Sequence, residues 1–165
     1  MGWLFMNWIK SYQDMANHIL QNSTPHKVIA KALVGSTFYV AYERFDEDKR
    51  DVYIAVFLIS CNKGEFGYKD MTENCGPCYY TCPERILKLS TQTSEFSVKW
   101  RAACREYIRR KHDWGNFTKG LNYGARLRHD DGSELIFHSV LSKKYIVCTN
   151  SEGQIYKYDF THIVF

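Results

Sequence analysis

The chain has 165 residues, enough for one ordinary domain or a medium domain followed by a small one, and long enough to build a core without disulfides or metal. Apolar residues at 45% and charged residues at 24% exclude a disordered chain, and a net charge of +4 is too small to mark the whole protein as a nucleic-acid binder. Its 12 Tyr, 10 Phe and 4 Trp supply the large contact area that interfaces favour, which tilts the reading toward binding.

The start Met1-Gly2-Trp3-Leu4-Phe5 lacks the basic flank and cleavage site of a signal peptide, and Met6 stands where a myristoylation signal has Ser or Thr. No apolar run approaches the roughly 20 residues that span a bilayer. With no membrane partner indicated, six cysteines fit the reduced thiols of a cytoplasm.

Ser11 to Gln21 reads as an amphipathic helix, stopped at Ser23-Thr24-Pro25 because proline disfavours α geometry before it. Three β-rich runs follow, Lys27 to Val34, Thr37 to Phe45 and Asp51 to Cys61, joined by Gly35-Ser36 and by a charged loop from Asp46 to Arg50. Alternation places Phe38, Val40 and Tyr42 on one face and Tyr39, Ala41 and Glu43 on the other, while Asp51 to Cys61 is apolar enough to be buried on both. Short loops make antiparallel pairing the default, so these runs form a meander.

From Asn62 to Cys82 the periodicity is lost among Gly64, Gly67, Gly76 and Pro77, giving a long loop. Phe66, Tyr68, Tyr79 and Tyr80 argue that it is ordered against the meander, with Asp70, Thr72 and Glu73 hydrogen-bonding nearby amides. Pro83 suits the first turn of a short helix through Leu89. Ser94 opens the longest helix, from Glu95 to about His112, with an apolar stripe of Phe96, Trp100, Ala103, Cys104, Tyr107 and Ile108. Gly115 and Gly120 bracket a linker. Beyond Gly124 come strands at Ala125 to His129, Glu134 to Leu141, Lys144 to Thr149 and Gln154 to Phe160, with turns at Asp130-Asp131-Gly132 and Ser151-Glu152-Gly153. Such tight spacing suggests a small SH3-like barrel. The expected fold class is therefore α+β: an antiparallel β-meander packed with two or three helices over residues 1–115, then a small SH3-like β-barrel over 121–165.

Cys75-Gly76-Pro77-Cys78 has the spacing of a redox dithiol, but the long helix such a motif must open is interrupted by Pro83. Cys61, Cys75, Cys78 and Cys82 could supply four thiolates, yet the second half of a paired knuckle is missing, so no metal and no cofactor is expected. His18, His26, His112, His129, His138 and His162 are scattered, and no catalytic residue is assigned. An enzyme, if there is one here, would centre on Asp70, Glu73 and Cys82. The basicity is local: Lys99, Arg101, Arg105, Arg109, Arg110 and Lys111 stand against Glu106 in the segment 99–112. Arg101, Arg105 and Arg109 repeat every fourth residue, with Lys111 beside them, which suits phosphate contacts and equally suits a solvated helix face. Tyr68, Tyr79 and Tyr80 in the loop, and Tyr156 and Tyr158 on one face of the last strand, complete the candidate binding residues.

Met1-Gly2-Trp3, Val34-Gly35-Ser36-Thr37-Phe38-Tyr39, the string from Tyr68-Lys69-Asp70-Met71 through Gly76-Pro77-Cys78-Tyr79-Tyr80-Thr81-Cys82-Pro83, and Trp100-Arg101 together resemble an uncharacterised family of small proteins of phages, plasmids and integrative elements. The resemblance covers about residues 1–110 and brings no catalytic residues with it. It implies a setting: an accessory protein in the cytoplasm of a bacterial host, binding a host protein or protein–nucleic-acid complex, for instance to inhibit a defence complex. The alternatives are a nucleic-acid-binding module using the basic helix and the enzyme centred on Asp70.

Overall fold

The computed structural model describes residues 26–35, 37–46, 48–60, 65–70 and 79–165. The helix read over Ser11 to Gln21, and Cys61, Glu73, Cys75 and Cys78, lie outside them. The chain divides into two compact units, one up to Glu106 and one from Tyr107 to Phe165.

In the first unit, β1 (His26–Val34), β2 (Thr37–Asp46), β3 (Lys49–Ser60) and β4 (Glu65–Asp70) form one antiparallel sheet in that order. The alternation read from the sequence holds. Tyr39, Ala41, Ile54 and Val56 pack on one face against Cys82, Ile86, Leu87, Trp100 and Cys104, while Phe38, Val40, Tyr42 and Ala55 are buried on the other. Both faces of the central strands are thus covered, which explains why β3 is almost uniformly apolar. The turn between β2 and β3 is tighter than the expected charged loop, since Lys49 and Arg50 already pair with Asp46 and Phe45.

The loop expected from Asn62 to Cys82 needs correction. Its first half is β4, whose register sets Phe66 opposite Ile59, Tyr68 opposite Phe57 and Asp70 opposite Ala55. An edge strand needs only one partner for its backbone, so glycine at position 67 does not prevent it from forming. Where β4 ends, the edge of β3 is taken over by the segment after the short helix α1 (Glu84–Leu87). The Thr91 amide donates to the Val52 carbonyl at 3.1 Å, and the Val52 amide donates to the Thr91 hydroxyl at 2.9 Å.

The long helix α2 (Glu95–Lys119) starts as expected, with the Ser94 hydroxyl accepting from the Ser97 amide at 3.2 Å. It does not stop before Gly115. Trp114 and Phe117 join the core of the second unit, and their burial outweighs the roughly 1 kcal/mol by which glycine disfavours a helix interior. Gly115 is exposed, and a Cβ built there meets nothing within 4 Å. Gly115→Ala is therefore expected to stabilise the protein by about 0.5–1 kcal/mol, read as a raised urea midpoint at unchanged m.

In the second unit, β5 (Arg126–His129), β6 (Glu134–Val140), β7 (Ile146–Thr149), β8 (Ile155–Tyr158) and β9 (Ile163–Val164) form an antiparallel sheet ordered β8-β7-β6-β5-β9. Leu127, Leu135, Phe137, Ile146, Cys148 and Ile163 line its inner face together with Phe160 and Trp114, and Tyr107 and Phe117 pack against them. The expected barrel is not closed. The β9 strand has only two residues, paired to β5, and β8 pairs only with β7, so the two ends of the sheet remain separate edges.

Candidate binding surface

The basic stripe of α2 is largely engaged within its own unit. Arg101 donates to the hydroxyls of Ser97 and Ser90, at 2.8 and 3.0 Å, and to the Gln92 carbonyl at 2.7 Å, clamping the segment that caps β3. Burial, with Arg105 nearby, lowers its pKa from the ordinary value. Arg105 makes a two-pronged pair with Glu84, both bonds 2.9 Å, which holds the Glu84 carboxyl below its ordinary pKa. Arg109 reaches Asp113 at 3.0 Å, and Lys99 reaches Glu95 at 2.5 Å. Arg110 donates to two carbonyls of the second unit, those of Phe160 at 2.5 Å and Ile163 at 2.6 Å. Lys111 is exposed.

The end of the former loop is a structural hub. Tyr79 lies against the first core, and its carbonyl accepts from Trp100 Nε1 at 2.8 Å. Tyr39 and Thr81 share a hydroxyl–hydroxyl bond of 2.7 Å. Tyr80 is exposed, while Tyr68 sits within β4. Cys82 is fully buried, and burial first, then Cys104 and Glu84, drives its thiol pKa up. A nucleophilic cysteine needs the opposite environment. Asp70, the acid that was to act with it, is the last residue of β4. Among the described residues, no group of three His, Cys, Asp or Glu side chains is placed to hold a metal.

Register places Tyr156 opposite Cys148 and Tyr158 opposite Ile146, so the two tyrosines do share the inner face of β8. Tyr158 packs on the core, whereas Tyr156, nearer the turn, is half exposed. The outer face is different: Ile136, Thr149 and Ile155 form one row across β6, β7 and β8. Ile136 is 43% exposed, Ile155 63% and Val164 56%, with Arg126, Arg128 and Lys157 on the same face. Exposed β-branched residues on one face are hard to find by periodicity, because alternation then contrasts apolar with apolar.

A histidine pair is also brought together that the sequence shows only as scattered residues. The rings of His129 and His162 stack at 5.9 Å, with Tyr158 edge-on to both. His129 Nδ1 lies 2.8 Å from Asp130 and 3.0 Å from Asp131, and His162 Nδ1 lies 3.0 Å from Asp159. With the Asp130 amide donating to the His162 carbonyl at 2.9 Å, this cluster clasps the β5–β6 turn to the turn before β9. The Ser133 hydroxyl and then the Ser133 amide, which donates to the Asp131 carboxylate at 2.8 Å, lower the Asp131 pKa from 3.8 to about 2, with His129 adding to the drop. A carboxyl lowered on folding contributes stability above its ordinary pKa and loses it as pH falls through the folded value. The unfolding midpoint is thus expected to drop between about pH 4 and pH 2 less steeply in Asp131→Asn than in the parent, measured by urea titration across that range.

Comparison with protein-family models, with curated proteins and with solved structures finds no match. No helix among the described residues is long and apolar enough to cross a membrane.

Proposed function

We propose that this protein works by binding another protein, and that the outer face of the C-terminal sheet is its contact surface. The observation that supports this most is the row Ile136, Thr149, Ile155, with Val164 beyond it. Ile136, Ile155 and Val164 stand exposed with arginine and lysine around them, as in the apolar centre and polar rim of an interface. In the setting implied by the family resemblance, the partner is a bacterial host protein or protein–nucleic-acid complex, a defence complex among the candidates. Phosphate binding by the helix is the weaker reading, because a phosphate would have to displace Ser97, Gln92, Glu84 or Asp113 from the arginines that now hold them.

The test is affinity capture from bacterial lysate with the full chain, with and without nuclease, comparing the parent with Ile136→Asp. The reading expects a protein partner that survives nuclease and is lost with Ile136→Asp at unchanged melting temperature. Capture of nucleic acid that elutes steeply with salt would overturn it.

A further inference from the structure

Beyond the outer face, the sheet ends on an edge that no described strand pairs. The Asn150 amide donates to the Gln154 carbonyl at 2.9 Å, so Gln154 turns its backbone groups toward β7. Backbone direction alternates along a strand, so Tyr156 and Tyr158 also face β7, while Ile155 and Lys157 turn their amides and carbonyls away from the sheet. β8 is the terminal strand of the sheet, and no described residue pairs with that side of it.

The charge along this edge is uneven. At the Lys157 end, Lys157 and Lys144 flank the Tyr145 ring at 5.0 and 4.8 Å, with exposed Lys143 beside them. The acid in this region, Asp159, is already occupied by the Thr161 amide at 2.9 Å, the Thr161 hydroxyl at 2.5 Å and His162. The other end of the strand carries the exposed apolar groups of Ile155 and Tyr156.

We infer that β8 accepts an extended acidic segment of a partner protein as an added antiparallel strand. Its carboxylate lies opposite Lys157, with aromatic and aliphatic side chains following opposite Tyr156 and Ile155. Main-chain bonds to Ile155 and Lys157 supply attachment, and the lysine corner selects the acid. This rests on the C-terminal sheet being the contact surface and specifies how its edge is used.

The test titrates the capped peptide Thr-Thr-Glu-Phe-Val-Thr-Thr into the ¹⁵N-labelled full chain, beside its analogue with Lys in place of Glu. The acidic peptide should shift the Ile155 and Lys157 amides, slow their exchange, and bind about tenfold or more tighter than the lysine analogue. Lys157→Glu should reverse that preference. Lys157→Pro removes an outward amide while leaving the β7 ladder intact, and should abolish binding at unchanged melting temperature. Equal binding of the two peptides, shifts centred on Ile136 instead of the edge, or an undiminished response in Lys157→Glu would overturn the proposal. So would concentration-dependent dimerisation lost in Lys157→Pro, which would give the edge to a second copy of the chain. Ile136→Asp, which abolishes capture in the lysate test, should leave the peptide response intact, so the two readings fail separately.

Discussion

Trp100→Ala is expected to destabilise the first unit by about 3–5 kcal/mol. Trp100 is 3% exposed and packs among Ile86, Leu87, Cys82 and Cys104, so truncation opens a cavity at the middle of the core. It also removes the donor that holds the Tyr79 carbonyl, and with it the anchor of the segment leading into α1. Trp100→Phe separates the two contributions, since it keeps most of the burial and loses the bond. Trp114 provides the comparison. It is equally buried, but its Nε1 has no hydrogen-bond partner among the described residues. Trp114→Phe removes a donor that gains nothing from folding, so it should be milder than Trp100→Phe by about 1–2 kcal/mol. Urea unfolding followed by far-ultraviolet circular dichroism checks all three variants. Equal losses for the two phenylalanine variants would show that the Tyr79 bond contributes nothing net.

Arg110→Ala is expected to cost about 2–3 kcal/mol, because its charged guanidinium serves two carbonyls at once and their loss leaves both unpaired. Its position 5.3 Å from the Phe165 ring adds to the contact. Arg110→Lys should recover only part of the loss: both bonds leave one nitrogen, Nη2, and an ammonium can supply two donors, but it lacks the flat guanidinium that lies over the Phe165 ring. Arg105→Ala, one turn earlier, should cost less than about 1 kcal/mol, because its pair with Glu84 is half exposed and open to screening by salt. Amide exchange at Ile163 and Val164 reports the difference directly: it should quicken in Arg110→Ala and stay put in Arg105→Ala.

What could be read from the sequence follows from how local its physics is. β1 to β3 are legible because each carries a local β-rich pattern, alternating in β2 and continuously apolar in β3, and the turns between them are short. β4 is not, since its glycines break the pattern and its evidence is a register with β3, a pairing no single segment reveals. The extent of α2 is misjudged for a similar reason. Gly115 is a local penalty, while the reward for continuing comes from Leu127, Phe137 and Ile163, far along the chain. The arginines of α2 are visible as charge, but the acceptors of Arg101 and Arg110 are neutral oxygens of Ser90, Gln92, Ser97, Phe160 and Ile163, which no charge pattern announces. The exposed row on the C-terminal sheet and the stacked histidines arise only when separate strands are set side by side.

The continuity of α2 also bears on how this protein could have been assembled and could be taken apart. The glycine-flanked loop near residue 120 has the composition of a seam, and a genetic exchange there would move the last forty-odd residues. Such a transfer would leave Tyr107, Arg110, Trp114 and Phe117 behind, and with them the cover for Leu127, Phe137 and Ile163 and the clamp on the final turn. The compact unit to which those strands belong starts inside the helix, at Tyr107.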